Sequence, residues 1–97
     1  MSSQDRQPEV LKREELLTFP CEFPVKVLGR SGEDFRSHAT GIVERHMGTL
    51  DPARVSERLS RDGNFLAITY NLTPQSRVQL DDLYRELSAS DAIVMVL

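Results

Sequence analysis

Apolar residues fall along this chain in two different rhythms, and the rhythm changes mark its elements. From Phe23 to Arg30 the pattern alternates. Phe23, Val25 and Val27 share one side while Lys26 and Arg30 take the other, which predicts a half-buried strand. Gly29-Arg30-Ser31-Gly32 then reads as a turn. From Glu33 the spacing becomes three and four. Phe35, Ala39, Ile42, Val43 and Met47 form one stripe, which predicts an amphipathic helix. Ser31 stands where an N-cap belongs, Glu33 and Asp34 suit the positive end of the dipole, and Gly48 suits the stop.

The second half repeats the order. Arg54–Arg61 alternates with few apolar residues, the pattern of a polar edge strand. Asp62-Gly63-Asn64 predicts a tight hairpin turn. Phe65–Thr73 is the strongest strand, with Leu66, Ile68, Tyr70 and Leu72 on one face and Ala67, Thr69 and Asn71 on the other. Thr73-Pro74 reads as the cap and first position of a second helix, whose buried side is Val78, Leu80, Leu83, Tyr84 and Leu87. Asp91–Leu97 is apolar on both faces and predicts a last strand. Glu9–Leu17 carries a fainter helical pattern, and residues 1–15 read as a flexible polar tail before a single domain at 16–97.

A β-α-β-β-α-β order with right-handed crossovers predicts an α+β, ferredoxin-like sandwich. Its four-stranded antiparallel sheet takes the order 4-1-3-2, with both helices on one face. The other face is left open, and Lys26, Leu28, Arg54, Ser56, Arg58, Ala67, Thr69 and Asn71 are expected on it, joined by Val94 and Val96 from the last strand. A mixed apolar and basic face is the mark of an interaction surface. The residues expected to carry it are Lys26, Leu28, Arg54, Arg58, Thr69, Val94 and Val96.

Composition narrows the chemistry. Twelve basic and fifteen acidic side chains give a net charge of −3, and no segment is strongly basic. Nucleic-acid binding therefore has little electrostatic support, although Arg54, Arg58 and Arg61 can gather near Lys26 and Arg30. Cys21 is the sole cysteine, so an internal disulfide and a cysteine-rich zinc site are excluded. The sequence contains no apolar run long enough to cross a membrane and shows no signal-peptide pattern near residue 1. A cytoplasmic location is the expectation. No Ser-His-Asp order, paired carboxylates or metal-ligand spacing stands out, so no catalytic residue, metal or cofactor is assigned.

Gly29, Arg30, Ser31 and Gly32 join a strand to a helix N-terminus, where free N–H groups attract carboxylate or phosphate. They are the candidate ligand loop. The same stretch, with Phe35-Arg36, resembles the phosphate loop of the acylphosphatases, which implies that Arg36 would grip an acyl phosphate. The loop is one residue shorter than that family's and lacks its Val-Gln pair, and the chain has no tryptophan. An RNA-recognition module shares the element order, but its stacking aromatics have a counterpart here only in Phe65.

Several segments together resemble one family. They are Phe19-Pro20, Phe23-Pro24-Val25-Lys26-Val27-Leu28-Gly29, Arg45-His46, Ser60, Gly63-Asn64-Phe65, Leu83-Tyr84-Arg85-Glu86-Leu87 and Val94-Met95-Val96-Leu97. In order and spacing they are similar to the YbeD-like bacterial proteins over residues 16–97. The resemblance implies a small cytoplasmic protein with a fold like the ACT regulatory domains, which bind amino acids at the loop corresponding to Gly29–Gly32. It also implies a suggested link to lipoate metabolism and no established catalytic residues. Where ACT domains carry an Asp-Arg-Pro-Gly-type loop, this chain reads Gly-Arg-Ser-Gly. The combined expectation is a non-enzymatic regulatory or interaction domain that binds a protein partner or itself, with a small carboxylate ligand as a further possibility. The alternatives are an acylphosphatase-like hydrolase and an RNA-binding module.

Overall fold

The computed structural model describes residues 17–97. The tail at 1–15, and all but the last residue of the helix expected at Glu9–Leu17, lie outside the described residues. The elements are β1 (Phe23–Arg30), α1 (Glu33–Met47), β2 (Val55–Leu59), β3 (Phe65–Leu72), α2 (Arg77–Ala89) and β4 (Met95–Val96). A short 3-10 turn, Pro52–Arg54, leads into β2. The sheet is antiparallel throughout, in the order β2-β3-β1-β4, which is the ferredoxin-like order expected from the sequence.

The register shows why the sheet has one dry face. Val25 pairs with Tyr70 and Val27 with Ile68, and residues paired across an antiparallel ladder point the same way. Those side chains meet Phe35, Ala39, Ile42 and Val43 of α1 and Leu80, Leu83 and Leu87 of α2 in one core. Tyr70 is fully buried, and its hydroxyl lies 3.1 Å from that of Thr40 on α1, so neither end of the ring is left with an unmet polar group.

Four local expectations are corrected. Ser31 does not cap α1. Gly32 holds the cap position at φ 146°, and the Ser31 hydroxyl instead donates to the Gly63 carbonyl at 2.6 Å. Thr73-Pro74 does not open α2. Ser76 is the cap, its hydroxyl accepting from the Gln79 N–H at 3.1 Å. Val78 is 68% exposed rather than buried. It lies two residues before Leu80, about 200° round the helix from the stripe of Leu80, Leu83 and Leu87. The last strand is shorter than Asp91–Leu97. Ser90–Ile93 is spent on a turn, with Ile93 N–H donating to the Ser90 carbonyl at 3.3 Å, and only Met95–Val96 forms ladder pairs.

Candidate functional site

The open face is built of strand rows that cross the sheet. One row is Arg58–Ala67–Leu28–Met95, and the next is Ser56–Thr69–Lys26–Leu97. In the second row Lys26 and Leu97 exchange two backbone hydrogen bonds, of 3.3 and 2.7 Å. A third row sets Phe65 beside Arg30. The first two rows are polar at the β2 end and end in an apolar residue on the β4 side, whereas the third has its aromatic on β3 and its cation on β1. Leu28, Ala67, Met95 and Leu97 thus form a contiguous apolar patch, with Met95 47% and Leu97 59% exposed.

Lys26, Leu28, Arg58 and Thr69 stand on this face as expected. The β4 residues do not. Val96 pairs with Val27 and packs against the core on the helix side, so Met95 and Leu97 supply the face in place of Val96. Val94 lies past the ladder, beside the groove at the start of α1. A slip of one residue exchanges the two faces of a strand, and a strand apolar on both sides gives no signal for the choice. Arg54 sits at the far end of the face but is already engaged. Its guanidinium donates to both Glu22 carboxylate oxygens and to the Asn71 carbonyl, all at 3.1 Å. Arg54 and the carboxylate hold each other charged, and Glu22 is drawn below its ordinary value by that hydrogen bond.

The Gly29–Gly32 loop forms a second feature, a groove of about 490 Å³ bordered by Arg30, Ser31, Gly32, Glu33, Asp34 and Asp91 among others. The polar groups of Ser31 and Arg30 in it are occupied. The Ser31 N–H donates to the Asn64 carbonyl at 2.9 Å, and with the Ser31 hydroxyl bond this stitches the loop to the β2–β3 turn. The Arg30 guanidinium stands over the Phe65 ring, 5.6 Å from its centroid, which also covers the one aromatic that could have stacked a base. Three carboxylates on the rim oppose an incoming anion. Among the described residues no group of three metal-ligating side chains comes together.

Arg36, the residue that the acylphosphatase resemblance would use, turns to the other side of the sheet edge. Its Nε and one terminal nitrogen bond the two Glu57 oxygens at 2.7 and 2.9 Å, and the other terminal nitrogen bonds Glu33 at 2.6 Å. Glu57 falls below its ordinary range because of that bond. A guanidinium held by two carboxylates does not present itself to a phosphate.

Residues 14–97 match the family described as "Protein of unknown function (DUF493)". The chain belongs to this family. Relatives include a UPF0250 protein of Paraburkholderia phymatum, 37% identical over 84 residues, covering 87% of this chain and 94% of that protein. A UPF0250 protein of Bordetella pertussis is 38% identical over 87% of this chain and 92% of its own length. A UPF0250 protein of Nitrosomonas europaea is 33% identical over 90% and 100%. The family is the YbeD-like group of small bacterial proteins that the sequence motifs resemble. The solution structure of protein HP0495 from H. pylori superposes with a TM-score of 0.66 over 100% of this chain and 94% of that one, at 13% identity, so it shares the fold. Among the described residues no helix is long and apolar enough to cross a membrane.

Proposed function

We propose that this member of the family is a non-enzymatic interaction domain that docks a protein partner on its open sheet face and acts through that contact as a regulator. The observation that carries the reading is the patch of Leu28, Ala67, Met95 and Leu97, which runs from the two central strands to the β4 edge of a face that neither helix covers. Apolar side chains gathered on one face, rather than scattered singly, supply the dry centre that an interface needs, and Lys26 and Arg58 supply its polar rim. A sheet is also a stiff platform, so little ordering is required on this side when a partner arrives.

The finer reading, a small carboxylate at Gly29, Arg30, Ser31 and Gly32 with a tie to lipoate metabolism, has less support. The rim of Glu33, Asp34 and Asp91 repels a carboxylate, and the hydroxyl of Ser31 is already used.

A photo-crosslinking residue placed at Met95, with Ser37 on the exposed side of α1 as control, tests the docking reading in growing bacterial cells. The expected result is a discrete protein adduct at position 95 and none at position 37. Equal labelling at both positions, or none at either, overturns the reading.

A further inference from the structure

We infer that the occupant of the open face is an acidic protein segment in which carboxylate side chains flank an apolar one. This rests on the docking reading and adds the chemistry of the partner. The argument starts from a division hidden inside the net charge of −3. Arg36, Arg45, Arg54 and Arg85 each form an ion pair within the chain. Lys26 and Arg58 form none among the described residues, and both stand on the open face. Lys26 is the more telling of the two. It sits on a central strand, with Thr69 and Leu97 beside it and Leu28 two residues along, and among the described residues no carboxylate forms an ion pair with it.

The carboxylates that could have answered these cations point elsewhere. Glu57, next to Arg58 on β2, pairs across the ladder with Ile68 and so faces the helix layer, where Arg36 holds it. Glu22 is bound to Arg54. Between Lys26 and Arg58 lies a shallow depression of about 310 Å³, bordered also by Ser56, Glu57, Ala67 and Thr69, with the Glu57 carboxylate itself bonded to Arg36. The Ser56 and Thr69 hydroxyls have no side-chain partner among the described residues. Two cations and two hydroxyls around one depression match a carboxylate, which accepts several hydrogen bonds and carries the opposite charge. Immediately beside it, Ala67, Leu28 and Met95 match an apolar side chain. A second copy presenting the same basic face is repelled. A single-stranded nucleic acid would need an exposed ring, and Phe65 lies under Arg30.

The test is selection of a phage-displayed random peptide library on the full chain, with depletion on the Met95→Asp variant. The expected peptides carry carboxylates beside an apolar residue. Their Kd rises at least tenfold in the Lys26→Glu/Arg58→Glu double variant, and at least tenfold again between about 50 and about 500 mM NaCl, while Arg58→Lys largely retains binding. Both substitutions lie on the exposed face, and an unchanged urea midpoint shows that the variants fold. Peptides that need the face but are neutral or basic, or that ignore salt, overturn the acidic class and leave the docking reading standing. Absence of any peptide that distinguishes Met95→Asp overturns both. Binding of a uridine 20-mer that the double variant abolishes, or sedimentation showing self-association that it abolishes, assigns the face to nucleic acid or to a second copy and overturns the inference.

Discussion

The ring of Phe35 occupies the space that a side chain on Gly29 would need: a Cβ built there comes within 2.4 Å of Phe35 Cδ1 and Cε1. The glycine that reads as part of a ligand loop is therefore required by packing between β1 and α1. Gly29→Ala is expected to destabilise the fold by about 1–3 kcal/mol, the usual range for overpacking a tight core. Urea unfolding measures it. Combining the change with Phe35→Leu should cost less than the sum of the two single changes, because the smaller side chain vacates the contested space. Strict additivity would show that the clash is relieved some other way.

Arg36 and Glu57 make the clearest statement against phosphate chemistry at the start of α1. Purified protein is expected to hydrolyse acetyl phosphate no faster than the buffer blank, with Arg36→Ala indistinguishable from the parent. The pair is exposed, so its effect on stability is small and screened by salt. A double-mutant cycle of Arg36→Gln and Glu57→Gln should show a coupling that shrinks as NaCl is raised. Turnover abolished by Arg36→Ala would restore the hydrolase.

Tyr70 predicts behaviour at the alkaline end. Burial raises its hydroxyl above the ordinary phenol value of 10.0, against the opposing pull of the Thr40 hydrogen bond. A group whose folded value is raised contributes stability that is whole below its unfolded value and is lost as pH climbs through the folded one. Stability should hold up to about pH 10 and fall above it, and ultraviolet titration should show one tyrosine ionising late. Tyr70→Phe removes the dependence at a cost of about 0.5–1.5 kcal/mol for the lost hydrogen bond. An ordinary phenol titration for the component that disappears in Tyr70→Phe would contradict this.

Acid acts through other groups. Glu86 is held below its ordinary value of 4.5 first by the His46 hydrogen bond, at 2.7 Å, and then by Arg45, and Glu57 is lowered in the same sense by Arg36. Carboxylates with lowered folded values contribute stability present above 4.5 and lost as pH falls through the folded values. The melting temperature should accordingly drop as pH is taken below the ordinary carboxylate range. Glu86→Gln, which also loosens the tie between α1 and α2, should flatten that drop. An acid limb unchanged in Glu86→Gln and Glu57→Gln would rule these pairs out as its source.

How far the sequence could be read follows from which residues had one strong periodicity. β1, α1 and β3 each bury a single face, so Val25, Ile42 and Ile68 declare their sides. The start of α2 misleads because Thr73-Pro74 imitates a cap followed by proline, although Pro74 is buried and the cap lies at Ser76. The pattern that marks it was present: Ser76 and Gln79 are spaced as in a capping box, and Gln79 Oε1 accepts from the Gln75 N–H at 2.6 Å. Ser76→Ala is expected to cost about 0.5–2 kcal/mol and Thr73→Ala much less, read from thermal unfolding. On the open face the cations were legible and their partners were not. That Arg54 is engaged while Lys26 and Arg58 form no ion pair among the described residues depends on where Glu22 and Glu57 point, and for Glu57 only the register decides it.

The final strand meets the sheet through two ladder pairs and a few flanking hydrogen bonds, and it lies at an edge. It is the piece with least to lose in a local opening, well short of unfolding the rest. Met95 and Leu97 ride on it, while Lys26 and Leu28 belong to a central strand bonded on both sides. One border of the surface is thereby fixed and the other can yield, which would let a single rigid scaffold adjust its outline to visitors of slightly different shape.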